Sequence, residues 1–234
     1  MIIDVELYIS KESQAKELAK LEQEAGIDRA VLMPAPTLRP DNAAVRNVGA
    51  QFSMFLPCAC VNPKLGHEAV EEFETAVKEW GFVGLKLMPP KHGYRVVDEI
   101  VYPLLQKATE LNVPVSIHSS QEQCHPADVG FMALEFPDLA IIMDHMGYRY
   151  FSRQAILAAK HAPNLYLATT AVPEPGVIKT AVSKLGPERV LFGSNGPGMP
   201  PDLQLEVIRR AELGAEAEAL VLGGNAARLY NVEA

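Results

Sequence analysis

The feature that most constrains this chain is a repeated alternation of two kinds of segment. Short apolar, β-branched runs occupy Ile2–Tyr8, Arg29–Met33, Phe52–Cys60, Phe82–Met88, Val113–His118, Ala140–Asp144, Leu165–Thr169 and Arg189–Gly193. Each has the length and composition of a buried strand. They are followed in turn by "SKESQAKELAKLEQEAG", "DNAAVRNVGAQ", "GHEAVEEFETAVKEWG", "VDEIVYPLLQKATELN", "HPADVGFMALEFP", "SRQAILAAKHAP", "PEPGVIKTAVSKLG" and "PDLQLEVIRRAELG", which have helical character. Several of these stop on Gly, Asn or Pro, as in "AGID", "LNVP", "FPDL" and "LGPE". Strand–helix alternation makes parallel βαβ units. Eight of them in 234 residues, 48% hydrophobic, predict an α/β fold: a (β/α)8 TIM barrel in one domain over residues 1–234. A doubly wound open sheet calls for a glycine-rich turn after its first strand, and "DVELYISKES" has no glycine. The last segment, "EAEALVLGGNAARLYNVEA", reads as a short C-terminal helical cap with a Gly-Gly break.

Charge and cysteine content narrow the partners. A net charge of −8 argues against nucleic acid and anionic membranes, both of which attract basic surfaces. No apolar run reaches the ~20 residues of a membrane span. "MIIDVELYIS" has no basic segment or small-residue cleavage site, so a cytoplasmic protein is expected. Three cysteines are too few and too odd for a disulfide framework, and Cys58 and Cys60 read as small buried hydrophobes on one strand face.

Strand parity then picks out candidate functional residues. Side chains alternate across a strand. In the first strand, Ile3, Val5, Leu7 and Ile9 form an apolar set expected beneath the helices, which turns Asp4, Glu6 and Tyr8 toward the barrel axis. A carboxylate there requires a partner. Lys86 points inward on the fourth strand, His118 ends the fifth, His145 follows the sixth and Asn195 follows the eighth. Glu6, Lys86, His118, His145 and Asn195 therefore lie at C-terminal strand ends, where barrel enzymes gather their catalytic groups.

At these positions the chain resembles the amidohydrolase-related family, barrels that include metal-dependent decarboxylases and lactonases. The resemblance runs nearly end to end, through "MIIDVELY", "FVGLKL", "VYPLLQKATELNVPVSIHSS", "IIMDHMG", "RVLFGSNGPG" and "GGNAARLYNV" in the family's order. It implies that His118 is a metal ligand and that His145 lies beside the metal. The departures are as informative. Glu6 and Tyr8 stand where the family has two metal-binding histidines, and Asn195 stands where it has an aspartate. Glu6, His118 and His145 still offer a carboxylate and two imidazoles, a set suited to Zn²⁺ first and to Mn²⁺ or Fe²⁺ as alternatives. Asn195 adds a neutral oxygen that is no base at working pH.

Three functions are open at this point. The first is a hydrolase or non-oxidative decarboxylase of a small carboxylated or cyclic acyl substrate, with one divalent metal on Glu6, His118 and His145. His145, Lys86 and Asn195 would be its catalytic groups, and Tyr8, His92 and Arg149 its substrate contacts. The second is a metal-free, lactonase-like hydrolase. The third is a degenerate barrel kept as a binding protein. A small-molecule substrate is the expected partner, and the resemblance also implies a homodimer.

Overall fold

Each of the eight apolar runs forms strand, and the strand segments pair in parallel in two consecutive sets, the first three and the following six. The computed structural model describes residues 1–233, the side chain of Arg149 excepted. The strands are β1 (Ile3–Ile9), β2 (Arg29–Pro34), β3 (Phe55–Pro57), β4 (Ala59–Cys60), β5 (Leu85–Leu87), β6 (Val115–Ile117), β7 (Ile141–Met143), β8 (Leu165–Ala168) and β9 (Val190–Leu191). β3 and β4 are the two ends of one barrel strand, joined at Cys58, whose N–H donates to Leu32 O at 2.9 Å. The ring closes where Val5 N–H donates to Phe192 O at 3.1 Å and Tyr8 N–H to Gly196 O at 2.8 Å. The result is the expected (β/α)8 barrel.

The larger outer helices are α1 (Ala15–Glu24), α2 (Asn42–Gln51), α3 (His67–Lys78), α5 (Tyr102–Leu111), α6 (Pro126–Glu135), α7 (Tyr148–His161), α8 (Pro175–Leu185) and α9 (Pro201–Arg210). A short α4 (Pro89–His92) follows β5 and has no counterpart in the sequence reading. The third strand begins at Phe55 rather than Phe52, because α2 runs to Gln51 and Phe52 still bonds back to Val48 O. Helices α10 (Ala215–Ala219) and α11 (Asn225–Leu229) flank a π-helical turn, Leu220–Gly224, and form the cap. Phe192 N–H donates to Val221 O at 2.8 Å, and Asn225 Nδ2 donates to Pro187 O and Val190 O at 2.7 and 2.8 Å. The break at Gly223 is a close approach. A Cβ there would lie 2.2 Å from Met1 O, so the cap can seat on the chain's start only without a side chain.

Burial divides into two apolar clusters. The larger joins strand residues such as Leu32, Leu85, Leu87, Val115, Ile117, Ile141, Met143 and Leu167 to the helices. The smaller takes the alternate strand positions Ile3, Val5, Val31, Met33, Cys58, Ile142, Ala168 and Leu191, with Ala226 and Tyr230 of the cap. The smaller one is the barrel interior, plugged from below by Tyr230, whose ring lies 3.4 Å from the Cβ position of Gly84.

Here the parity expected for β1 requires correction. Ile3 and Val5 belong to the interior cluster, whereas Leu7 and Ile9 belong to the outer one. The register against β2 slips between Asp4 and Leu7, a β-bulge that reverses the faces. Asp4 consequently faces away from the axis. Its carboxylate accepts from Ser194 N at 2.9 Å, from the Ser194 hydroxyl and from Glu6 N at 3.0 Å. Glu6, past the bulge, keeps its inward direction.

Candidate active site

Above the apolar plug the barrel holds a buried polar layer. β1 supplies Glu6, β5 Lys86, β6 Ser116, and the residue after β7 is Asp144. Lys86 Nζ donates to Glu6 Oε1 at 2.8 Å, to Ser116 Oγ at 3.2 Å and to Asp144 Oδ2. Ser116 Oγ also bonds the Asp144 carboxylate at 2.8 and 2.9 Å. All four side chains are almost wholly out of solvent. Burial works to lower the lysine pKa, but Asp144 and Glu6 raise it, so the ammonium stays charged. Burial likewise works to raise Glu6, yet the Lys86 ammonium holds it down at about 2. Burial raises Asp144 to about 6, helped by the Glu6 charge and opposed by Lys86. One ammonium thus serves two carboxylates, and Glu6 is the one it ionises first.

The next layer opens to a cavity of about 450 Å³ at the C-terminal ends of the strands. Glu6, Tyr8, Met88, Lys91, His118, His145, Tyr148 and Asn195 line it, with Pro36, Ser120 and Ala171. Tyr8 OH donates to Glu6 Oε1 at 2.6 Å. Burial first, and then the Glu6 charge, raises the Tyr8 pKa, so the phenol remains a donor. His145 Nδ1 lies 3.0 Å from Thr170 O, and its Nε2 lies 2.9 Å from His118 Nδ1. A carbonyl oxygen can only accept, so His145 Nδ1 carries the proton. With both rings uncharged, His145 Nε2 accepts from His118 Nδ1–H. The chain of roles leaves His118 Nε2 as an unprotonated acceptor, with no hydrogen-bond partner among the described residues. Burial, more than anything else, holds the His118 pKa down at about 3.

Backbone conformation concentrates strain around this cavity. His145, Tyr148, Ala171 and Asn195 all adopt positive φ (62°, 57°, 54° and 70°) and all line it. Non-glycine residues hold such angles at a cost of about 1–3 kcal/mol each, and functional sites are where they collect. The turn after β7 is anchored by His145 N–H donating to Thr170 Oγ1 at 2.8 Å and Gly147 N–H to Ser119 Oγ at 2.9 Å.

The residues singled out from sequence separate accordingly. Glu6, Tyr8, His118, His145 and Asn195 meet in one cavity. Lys86 does not line it: the two carboxylates draw the ammonium beneath the floor. His92 is also absent from the cavity. Its Nε2 lies 2.8 Å from Thr37 O, tying the loop after β2 to α4. The Arg149 side chain lies outside the described residues. Glu6, His118 and His145 do not form an open ligand set, since Oε1 of Glu6 is taken by Lys86 and Tyr8 and the two imidazoles bond each other. Among the described residues, no three His, Cys, Asp or Glu side chains are grouped to hold a metal ion. Asp144 and Thr170 were missed as site residues. Asp144 was readable in principle, because parity from buried Ile142 turns it inward toward Lys86.

With this geometry in hand, the amidohydrolase family profile matches residues 8–232. The chain belongs to the amidohydrolase family. A 2-keto-4-carboxy-3-hexenedioate hydratase of Sphingobium is 28% identical to this chain over 166 residues, covering 56% of this chain and 48% of the hydratase. The chain therefore matches about half the length of that curated relative. Among solved structures, a TIM-barrel protein of Bordetella bronchiseptica superposes with a TM-score of 0.82 at 20% identity, covering 99% of this chain and 98% of the other. A 5-carboxyvanillate decarboxylase of Novosphingobium aromaticivorans, with bound manganese, superposes with a TM-score of 0.79 at 14% identity, covering 99% and 97%. Such identities establish the shared barrel. No helix among the described residues is long and apolar enough to cross a membrane.

Behind the site, the bulge brings two buried acids together. Glu22 of α1 is 1% exposed, and its Oε2 has no partner among the described residues. Burial, then the nearby Asp4 charge, raises its pKa to about 9. The unfolded chain releases that proton near 4.5. Between these values the folded state binds more protons, so stability falls as pH rises. The melting temperature is expected to decline from pH 5 to pH 9, and Glu22→Gln to flatten that decline. An identical slope in the variant would refute the assignment.

Proposed function

We propose that this family member is a hydrolase or decarboxylase of small carboxylated or cyclic acyl molecules, with the His118–His145 pair as its acid–base unit. The observation that carries this is the run of contacts from Thr170 O through His145 to His118, whose half-buried side chain lines a strained, strand-end cavity. In the hydrolytic case His118 Nε2 takes a proton from a water that adds to the substrate carbonyl. As it does so, Nδ1–H passes to His145 Nε2. The positive charge comes to rest on His145, between Thr170 O and His118 and within the field of Glu6. His118 Nε2–H then returns the proton to the leaving oxygen, as Nδ1 recovers its own proton from His145 Nε2. Positioned acid–base groups of this kind contribute about 10²–10⁴-fold. Lys91, exposed at the rim, supplies the charge for a substrate carboxylate.

The metal-dependent reading has two supports, the unpartnered Glu6 Oε2 and the manganese of the structurally similar decarboxylase. It requires the two imidazoles to part. Protein passed through chelator should keep its turnover of a lactone and carboxylate-ester panel, and added Mn²⁺ or Zn²⁺ should leave both turnover and melting temperature unchanged. Turnover that vanishes with chelator and returns with Mn²⁺ would restore the metal on Glu6, His118 and His145. A folded protein inactive across the panel would instead favour a binding protein.

A further inference from the structure

Glu6 is used on one side only. Its Oε1 accepts from Tyr8 OH at 2.6 Å and from Lys86 Nζ at 2.8 Å. Its Oε2 is buried and has no partner among the described residues, although Glu6 lines the cavity. Buried polar atoms are ordinarily satisfied, and a charged acceptor left alone is the costliest exception. The side chain cannot turn to cure this, because rotating the carboxylate would break the contacts to Lys86 and Tyr8. The charge balance points the same way. Two carboxylates share one ammonium below the cavity, whereas Lys91 at the rim has no carboxylate within ion-pair distance among the described residues. The cavity is therefore negative at its floor and positive at its rim, with Pro36, Met88 and Ala171 among the apolar lining. At about 450 Å³ it has room for one small molecule.

We propose that Glu6 Oε2 is the deep subsite for a hydrogen-bond donor of the substrate, a hydroxyl or an ammonium, opposite a substrate carboxylate held by Lys91. The ligand class is a small bifunctional acid with a carboxylate at one end and a donor at the other. This rests on the functional reading above for placing the substrate in this cavity, and it adds what the floor selects. Tyr8 and Lys86 act as positioning residues: they fix the carboxylate plane so that Oε2 faces the ligand.

The test is binding without turnover. Matched unsubstituted, ω-hydroxy and ω-amino carboxylic acids of three to six carbons are titrated into the intact protein, followed by ligand-observed NMR. At one chain length the hydroxy or amino member binds at least about tenfold tighter than its unsubstituted parent, as expected for a hydrogen bond to a charged acceptor. Which of the two gains identifies the donor. Glu6→Gln keeps an oxygen for Lys86 and presents an amide N–H₂ instead of Oε2, so the preference disappears. Lys91→Ala, a surface change that leaves the fold intact, weakens every member by the same factor. Equal binding by all three members, none binding, a preference that survives Glu6→Gln, or Mn²⁺ alone binding through Glu6 would each overturn the proposal. Selective binding with no hydrolysis anywhere would keep the subsite and remove the catalytic reading, while hydrolysis without the preference would do the reverse.

Discussion

Lys86→Met is expected to lower the melting temperature by about 6–20 °C at neutral pH. The estimate follows from about 3–5 kcal/mol for removing one partner of a buried ion pair, at about 2–4 °C per kcal/mol for a domain of this size. The loss is large because the ammonium offsets two carboxylates at once, Glu6 and Asp144, in a layer with no access to water. The deficit should shrink as pH falls toward 5, since protonating Asp144 removes the repulsion. Adding Glu6→Gln and Asp144→Asn to Lys86→Met should recover most of it, because a neutral layer leaves no unpaired charge. Thermal melts of the single and triple variants between pH 5 and 8 decide the matter. A single variant as stable as the parent would mean that Lys86 neutralises nothing of consequence.

His118→Asn and His145→Asn are each expected to lower kcat by about 10²–10⁴-fold, with KM changed little. The double variant should be no worse than the single ones, because the two imidazoles pass one proton as a unit. Removing His145 strips His118 Nδ1–H of its acceptor, so the tautomer that frees Nε2 is no longer enforced. Steady-state kinetics on any panel substrate tests this, with a thermal melt to show that the variants fold. Additive losses in the double variant would show that the residues work separately, and unchanged turnover in His145→Asn would end the relay.

Much of the barrel was legible because its signal is local. Each strand is short, apolar and followed by an amphipathic helix, so periodicity along a few residues identifies it without knowledge of its neighbours. The order of strands follows from the same fact, since successive βα units lie side by side. The strand-end residues Glu6, Tyr8, His118, His145 and Asn195 were found because position at a strand's C-terminal end is itself a local property.

What the chain could not disclose by itself depends on contacts between distant residues. The bulge in β1 is a mismatch of register with β2, and it alone sends Asp4 to Glu22 while leaving Glu6 inside. Asp144 claims Lys86 from 58 residues away, so that a residue expected among the catalytic groups is a buried counter-ion. The His118–His145 bond, between residues 27 apart, occupies one nitrogen of each ring. Residue types along the sequence state what a site can hold. Which atom each donor meets is decided by side-chain packing across the barrel, where geometry and lost hydration select one partner among several chemically equivalent ones.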